Sequence, residues 1–262
     1  MTDRARLPVI PGDKKGEAMA EDVFVVTTEP PVATLLINRP DKGNRLMTEE
    51  VRALGQNIRA LGTRADIKIV VLRGAGENFC LGRDPGPPGS GPKSALAMRH
   101  GIADPILDIY ADVRAASAVV LAVVQGPARG FGCATAGICD LTIAADTARF
   151  SLPEMDGNLP PTLAMSALIG KIPPKRLLHM VTTRTEITAA DALAMGLVTE
   201  VVPRAELDKA VAATIAKLAD RRRSALAALK EYILLAPQID TAAQARYGAN
   251  LMSVVLASPE EG

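Results

Sequence analysis

The sequence predicts an α/β fold, built as one large domain or as one domain with a small appendage, on three observations. Short apolar, β-branched runs recur at 32–38, 67–73 and 119–124, separated by segments with helical spacing of apolar residues. Glycine-punctuated turns follow two of those runs, at 79–84 and 126–133, where strands pass into what comes next. Beyond Pro203 the pattern is helical only.

Taken in order, residues 1–20 are polar and aperiodic and read as a tail. FVVTTE and VATLLIN predict two strands of a hairpin that turns at Glu29, Pro30 and Pro31. After a loop over 38–44, Thr48 is the expected cap of a helix with Glu49 and Glu50 in its first turn. Its apolar positions are Val51, Leu54, Ile58 and Leu61, and Gly62 marks its end. A strand over 67–73 follows, then a glycine turn and the segment 85–93, PGPPGSGPK, too rich in proline and glycine for regular structure and expected to be a loop beside a site.

A helical stretch through 112–116 leads to Val119–Val124, which is apolar at every position. That strand runs through Gly126 and Pro127 into Gly130-Phe131-Gly132, which opens a helix. The first N–H groups of such a helix have no partner in the helix and can hold an anion. Strands at 141–145 and around 149–152 precede a loop over 153–161. Thr188 to Asp191 resembles a capping box for a helix that stops at Gly196, and 197–202 reads as a last strand. Amphipathic helices are predicted over 206–220, 224–235 and 241–256, stripes suited to packing on the core or on another subunit.

Composition excludes several function classes. A hydrophobic content of 48% with 23% charge is ordinary for a globular protein, and a net charge of +1 provides no field for nucleic acid or an anionic membrane. Aromatics are only 3% and Trp is absent, so small aliphatic side chains fill the core. Cys80, Cys133 and Cys139 fit no metal spacing and lie in apolar segments, which suits a reduced compartment. No apolar run approaches the length of a membrane span and the N-terminal residues lack a secretion signal, so a cytoplasmic protein is expected.

The motifs narrow the chemistry further. No Gly-Lys-Ser/Thr follows either glycine turn, and the Gly130-Phe131-Gly132 element lacks the third glycine of a dinucleotide site, so phosphate-nucleotide chemistry is not signalled. His100 and His179 have no serine elbow near them, which argues against a Ser-His-Asp triad. Asp140 and Asp146 flank a strand and read as turn formers, and Asp84 before Pro85 reads as a turn acid or a ligand contact. Glu154, just after Leu152-Pro153, is the carboxylate best placed to project into a cleft.

INRPDKGN (37–44), VVLRGAGENFCLGRD (70–84), GPARGFGCATAGICDLTIAAD (126–146), ARFSLPE (148–154) and ITAADALAMGLVTEVVP (187–203) together resemble the enoyl-CoA hydratase/isomerase family, the crotonase superfamily. The resemblance implies a crotonase-like spiral of β-β-α units over 21–203, carrying a CoA-thioester site, and a helical C-terminal region over 204–262 that assembles homotrimers or hexamers. It implies an acyl-CoA substrate, with coenzyme A entering only as part of that substrate and no metal or redox cofactor. Carried onto this chain, the backbone N–H groups of Arg83 and Phe131 would hold the thioester oxygen. Lys42, Cys80, Arg83 and Asp84 would fall where the family contacts the CoA moiety.

Two departures shape the expected reaction. Where family hydratases read Gly-Gly-Gly-Cys-Glu this chain reads Gly130-Phe131-Gly132-Cys133-Ala134, so the first catalytic glutamate is absent while the second is retained as Glu154. Arg83 and Phe131 also stand where the family often has Ala and Gly. A single carboxylate suits moving a double bond better than adding water, so an enoyl-CoA isomerase is the favoured expectation. Hydration through Glu154 alone, thioester hydrolysis, decarboxylation and a non-catalytic acyl-CoA-binding subunit are the alternatives.

Overall fold

A computed structural model describes residues 22–259 except 88, 90 and 92; the tail expected over 1–20 lies outside the described residues. Strands β1 (Phe24–Glu29) and β2 (Val32–Ile37) form the antiparallel hairpin, and helix α1 (Thr48–Gly62) leads to β3 (Ile69–Gly74). Helix α2 (Ala95–Met98), a wide turn over Arg99–Ala103 and helix α3 (Asp104–Ala115) run on continuously to β4 (Val119–Val124). Then come β5 (Ala128–Arg129), α4 (Phe131–Ile138), β6 (Leu141–Ala145), β7 (Arg149–Ser151) and a short 3-10 turn over Pro153–Gly157. Helices α5 (Thr162–Leu168) and α6 (Pro174–Thr182) precede β8 (Ile187–Thr188), α7 (Ala189–Ala194) and β9 (Glu200–Val202). Helices α8 (Leu207–Ala219), α9 (Arg223–Leu235) and α10 (Thr241–Ala257) complete the helical C-terminal region.

Among the described residues the strands make two sheets. One has the order β1-β2-β3-β4-β6-β9, parallel except for the first hairpin, and the other has the order β5-β7-β8. A parallel sheet covered on both faces needs strands that are apolar throughout, and β4 shows the reason residue by residue. Val120, Ala122 and Val124 face the large core shared with α1 and α3, whereas Leu121 and Val123 face a second cluster with Leu207 and Val211 of α8.

Several edges differ from the sequence expectation, each for a local reason. Thr48 is the first helical residue and not the cap; Met47 is the extended residue before it, and its N–H donates to Glu50 Oε2 at 2.7 Å. The strand expected from residue 67 begins at Ile69, because the Ile67 N–H closes a turn on the Arg64 carbonyl. The strand expected from 197 begins at Glu200, since the Leu197 and Val198 N–H groups bond the Ala192 carbonyl and finish α7. The short strands β5 and β8 were not expected at all; two-residue pairings leave no periodicity to read.

Asp140 is an anchor and not simply a turn former. Its carboxylate accepts the Val120 N–H at 2.7 Å and pairs with Lys230 Nζ of α9 at 2.7 Å, so the C-terminal helices are pinned to the start of the central strand. Lys230 Nζ also donates to the Val113 carbonyl at 2.7 Å. Lys171 places its ammonium on the carbonyls of Gly137, Ile138 and Cys139 at the end of α4, where a cation complements the helix dipole and leaves the opposite, positive end at Phe131. Among the described residues no helix is long and apolar enough to cross a membrane.

Candidate active site

The two glycine turns are bonded to each other. Phe79 and Cys80 donate their N–H groups to the Pro127 carbonyl at 3.1 and 3.3 Å, and Arg129 donates to the Cys80 carbonyl at 2.9 Å. This parallel pairing aligns Cys80 with Ala128, so Arg83 and Phe131 each lie three residues beyond an aligned pair. Gly132 is required for the approach: a Cβ there would overlap the Cys80 carbonyl.

The orientation of the Arg83 N–H follows from its other neighbour. Arg83 pairs with Leu46, whose N–H donates to the Gly82 carbonyl at 3.2 Å and whose carbonyl accepts the Asp84 N–H at 2.8 Å. Backbone groups alternate along an extended chain, so the N–H of Arg83 points away from Leu46. Phe131 is the first residue of α4, where an N–H lies beyond the reach of the helix's own carbonyls. Among the described residues neither N–H has an acceptor.

Both residues line one cavity of about 540 Å³, together with Gly82, Gly130 and Glu154. The rest of its lining is largely hydrocarbon, with Met98, Ile102 and Ile106 from the segment around α3 and Leu159 through Ala164 from the segment that leads into α5. Glu154 arrives there because β7 ends at Ser151 and Pro153 starts the short 3-10 turn. Glu154 Oε1 rests against Gly130, only 2.7 Å from where a Cβ would stand, and among the described residues its buried Oε2 has no hydrogen-bond partner. Burial pushes the Glu154 carboxyl above its ordinary range, opposed by a hydrogen bond from its own backbone and by the charge of Arg129.

The other residues singled out from the sequence are placed elsewhere. Lys42 is exposed on the loop before α1. Cys80 is 1% exposed and donates its thiol to the Asn44 carbonyl at 3.1 Å, and burial pushes that thiol up to about 12. Asp84 accepts the Gly86 N–H at 2.9 Å, as a turn acid does. None of these three lines the cavity that gathers Arg83, Phe131 and Glu154. Ala134 is fully buried in α4 and contributes no titratable group.

The structure adds Tyr110 to the cavity wall. It falls at helical spacing with Ile106 and Val113, so periodicity reads it as core; a phenol inside an apolar stripe was the available signal. Among the described residues no three His, Cys, Asp or Glu side chains converge as a metal site would require.

The profile of a family described as enoyl-CoA hydratase/isomerase matches residues 27–259. A Mycobacterium leprae protein named as an enoyl-CoA hydratase is 30% identical over 219 residues, 82% of each chain. The crystal structure of an enoyl-CoA hydratase from Mycobacterium smegmatis superposes with a TM-score of 0.86 at 27% identity, covering 91% of this chain and 93% of that one. A Thermobifida fusca protein described as an enoyl-CoA hydratase, in complex with CoA, gives a TM-score of 0.81 at 29% identity, covering 90% of this chain and 93% of that one.

Proposed function

This chain belongs to the enoyl-CoA hydratase/isomerase family, and from that membership we propose that it moves a carbon–carbon double bond in an enoyl-CoA thioester, with Glu154 as its single proton-transferring group. The observation that carries this reading is the pairing of a half-buried Glu154 in the cavity wall, whose buried Oε2 has no partner among the described residues, with a methyl group at Ala134. The Thermobifida fusca relative in complex with CoA supports a thioester as the ligand.

In this mechanism the thioester oxygen accepts hydrogen bonds from the N–H groups of Arg83 and Phe131. The positive end of α4 adds to the second of them, and donors fixed in place favour the enolate that forms. Glu154 removes a proton from C2 of a 3-enoyl thioester; the C–H pair forms a C1=C2 bond and the carbonyl pair moves onto the oxygen, giving a dienolate that collapses back to the carbonyl, shifting the double bond from C3=C4 to C2=C3 as C4 is protonated. The same carboxylic acid then returns its proton to C4, so the product is the 2-enoyl isomer and the carboxylate is regenerated. No metal or redox cofactor takes part. A carboxyl that holds its proton more tightly than an ordinary glutamate suits both halves of this cycle, because it is the stronger base toward C2 and still an acid toward C4.

Hydration is the second reading, favoured by the names of the relatives, in which hydratases predominate. One measurement separates the two: incubation with 3-enoyl- and 2-enoyl-CoA in heavy water, following deuterium at C2 and C4 alongside direct detection of 3-hydroxyacyl-CoA. Isomerisation with exchange, and little hydroxy product, is the expected result. Rapid hydration by the unaltered protein would sink the isomerase assignment, and full activity in Glu154→Gln would sink the assignment of the base.

A further inference from the structure

We propose that Tyr110 determines acyl-group specificity: its hydroxyl donates a hydrogen bond to an uncharged oxygen carried on the acyl chain, so the preferred thioesters bear a keto or similar oxygen within an otherwise apolar acyl group. This deepens the reading above and rests on it, because it takes the cavity beside Glu154 as the acyl site.

Tyr110 of α3 is part of the wall of that cavity and is only 1% exposed, yet among the described residues its buried hydroxyl has no hydrogen-bond partner. A buried hydroxyl without a partner is unfavourable, and a phenyl ring would fill the same place without that cost. The partner is therefore supplied from outside the chain, by water in the free protein and by a ligand when one is bound. Apart from Glu154, Thr162, Arg83 and the backbone of the glycine turns, the lining residues are hydrocarbon, with Leu81, Met98, Ile102 and Leu163 among them.

The direction of the hydrogen bond follows from charge. Burial, then the neighbouring Cys133 and Glu154, push the phenol far above its ordinary range, so the proton stays on the Tyr110 oxygen and the group donates. Of the two charged residues in this cavity wall it is Glu154, and not Arg83, whose charge acts on Tyr110, so beside that hydroxyl a second carboxylate is disfavoured and an uncharged acceptor is the fitting group. The thioester oxygen is already assigned to the N–H groups of Arg83 and Phe131, so Tyr110 reads a different oxygen. A plain hydrocarbon chain would displace the water on Tyr110 and return nothing in its place, the situation in which a polar site discriminates.

The test is calorimetric titration of the full-length protein with hexanoyl-CoA, 4-oxohexanoyl-CoA and 5-oxohexanoyl-CoA, all saturated in the acyl chain, and of Tyr110→Phe with the same three. The unaltered protein should bind at least one keto thioester roughly tenfold more tightly than hexanoyl-CoA, the size of one net hydrogen bond. Tyr110→Phe should lose that preference and bind hexanoyl-CoA more tightly than the unaltered protein does, because the hydroxyl that a hydrocarbon chain leaves without a partner is gone; native circular dichroism reports that the variant is folded. Equal affinity of the unaltered protein for all three would overturn the proposal without using any variant, and so would a preference that survives in Tyr110→Phe. If none of the three binds, the acyl-CoA reading itself fails and takes this inference with it.

Discussion

Glu154 Oε1 lies 2.7 Å from the point where a Cβ on Gly130 would stand, so the carboxylate rests directly on the residue that opens α4. Gly130 also holds φ at +53°, a conformation side chains disfavour. Gly130→Ala therefore acts twice, straining the backbone and pushing the carboxylate out of place. We expect a loss of at least about 1 kcal/mol in urea unfolding and a fall in kcat larger than the change in KM. A variant with unchanged kcat would show that the contact does not position Glu154.

Arg83 separates backbone from side chain. Its N–H points away from Leu46, and replacing the residue by proline removes that donor while replacing it by alanine does not. Loss of one such donor typically costs about 2.7–4 kcal/mol of transition-state stabilisation. Arg83→Pro should therefore lower kcat by two to three orders of magnitude, roughly, and Arg83→Ala far less. Equal damage in two variants that both show native circular dichroism would assign the effect to the guanidinium.

Lys230 is the group on which the C-terminal helices hang. Its ammonium bonds the Asp140 carboxylate and the Val113 carbonyl, and its side chain is 9% exposed. Lys230→Met takes the ion-pair partner from a carboxylate that is 23% exposed and keeps the Val120 N–H, a change that costs about 1–3 kcal/mol. Burial already pushes Asp140 upward, with Lys230 opposing. Without Lys230 the carboxyl takes up a proton more readily, so the deficit should shrink on acidification. A deficit that stays the same from about pH 8 to about pH 4 would mean that packing, and not charge, is what the substitution removed.

Helices α9 and α10 expose Ile233 at 73% and Leu256 at 71%, with Leu229, Met252 and Val254 also uncovered. Large apolar side chains uncovered on two helices that pack together point to an interaction surface. We expect trimers or hexamers by light scattering at micromolar concentration and smaller species on Ile233→Asp with Leu256→Asp. A monomeric unaltered protein would exclude assembly through this face.

The parts of the fold that were legible in the sequence are those with long periodic signals. The continuous apolar run of β4 announced a strand buried on both faces, and the glycine-spaced turns announced the strand ends that carry Arg83 and Phe131. Tyr110 was not legible, because its helical spacing with Ile106 and Val113 is that of a core residue, and only packing shows it in a cavity wall with its buried hydroxyl unpartnered among the described residues. Nor was the anchoring role of Asp140, whose partner Lys230 lies 90 residues further along the chain. Lys42, Cys80 and Asp84 were named from family resemblance, and the cavity wall does not include them.

Glu154 should make the protein less stable at the pH where it works. Burial raises its carboxyl above the ordinary value of 4.5, with the hydrogen bond from its own backbone and the charge of Arg129 only partly offsetting this. Between the unfolded value and the raised folded value the native state binds more protons than the unfolded chain, so stability falls as pH rises through that window. Above it the full penalty remains. Glu154→Gln keeps the shape and removes the charge, so the variant should melt at a higher temperature than the unaltered protein at about pH 8, and the gap should close by about pH 4. The same substitution should abolish turnover while leaving thioester binding nearly intact, because the amide retains the cavity's outline and loses the base. In the unaltered protein the acid limb of kcat/KM should lie above the usual glutamate range for the same reason. Scanning calorimetry at the two pH values, with titration of a saturated acyl-CoA at each, checks stability and binding together. A Glu154→Gln variant that melts no higher at about pH 8 would show that bound water or Arg129 fully compensates the carboxylate, and the raised acid limb would then have no physical basis.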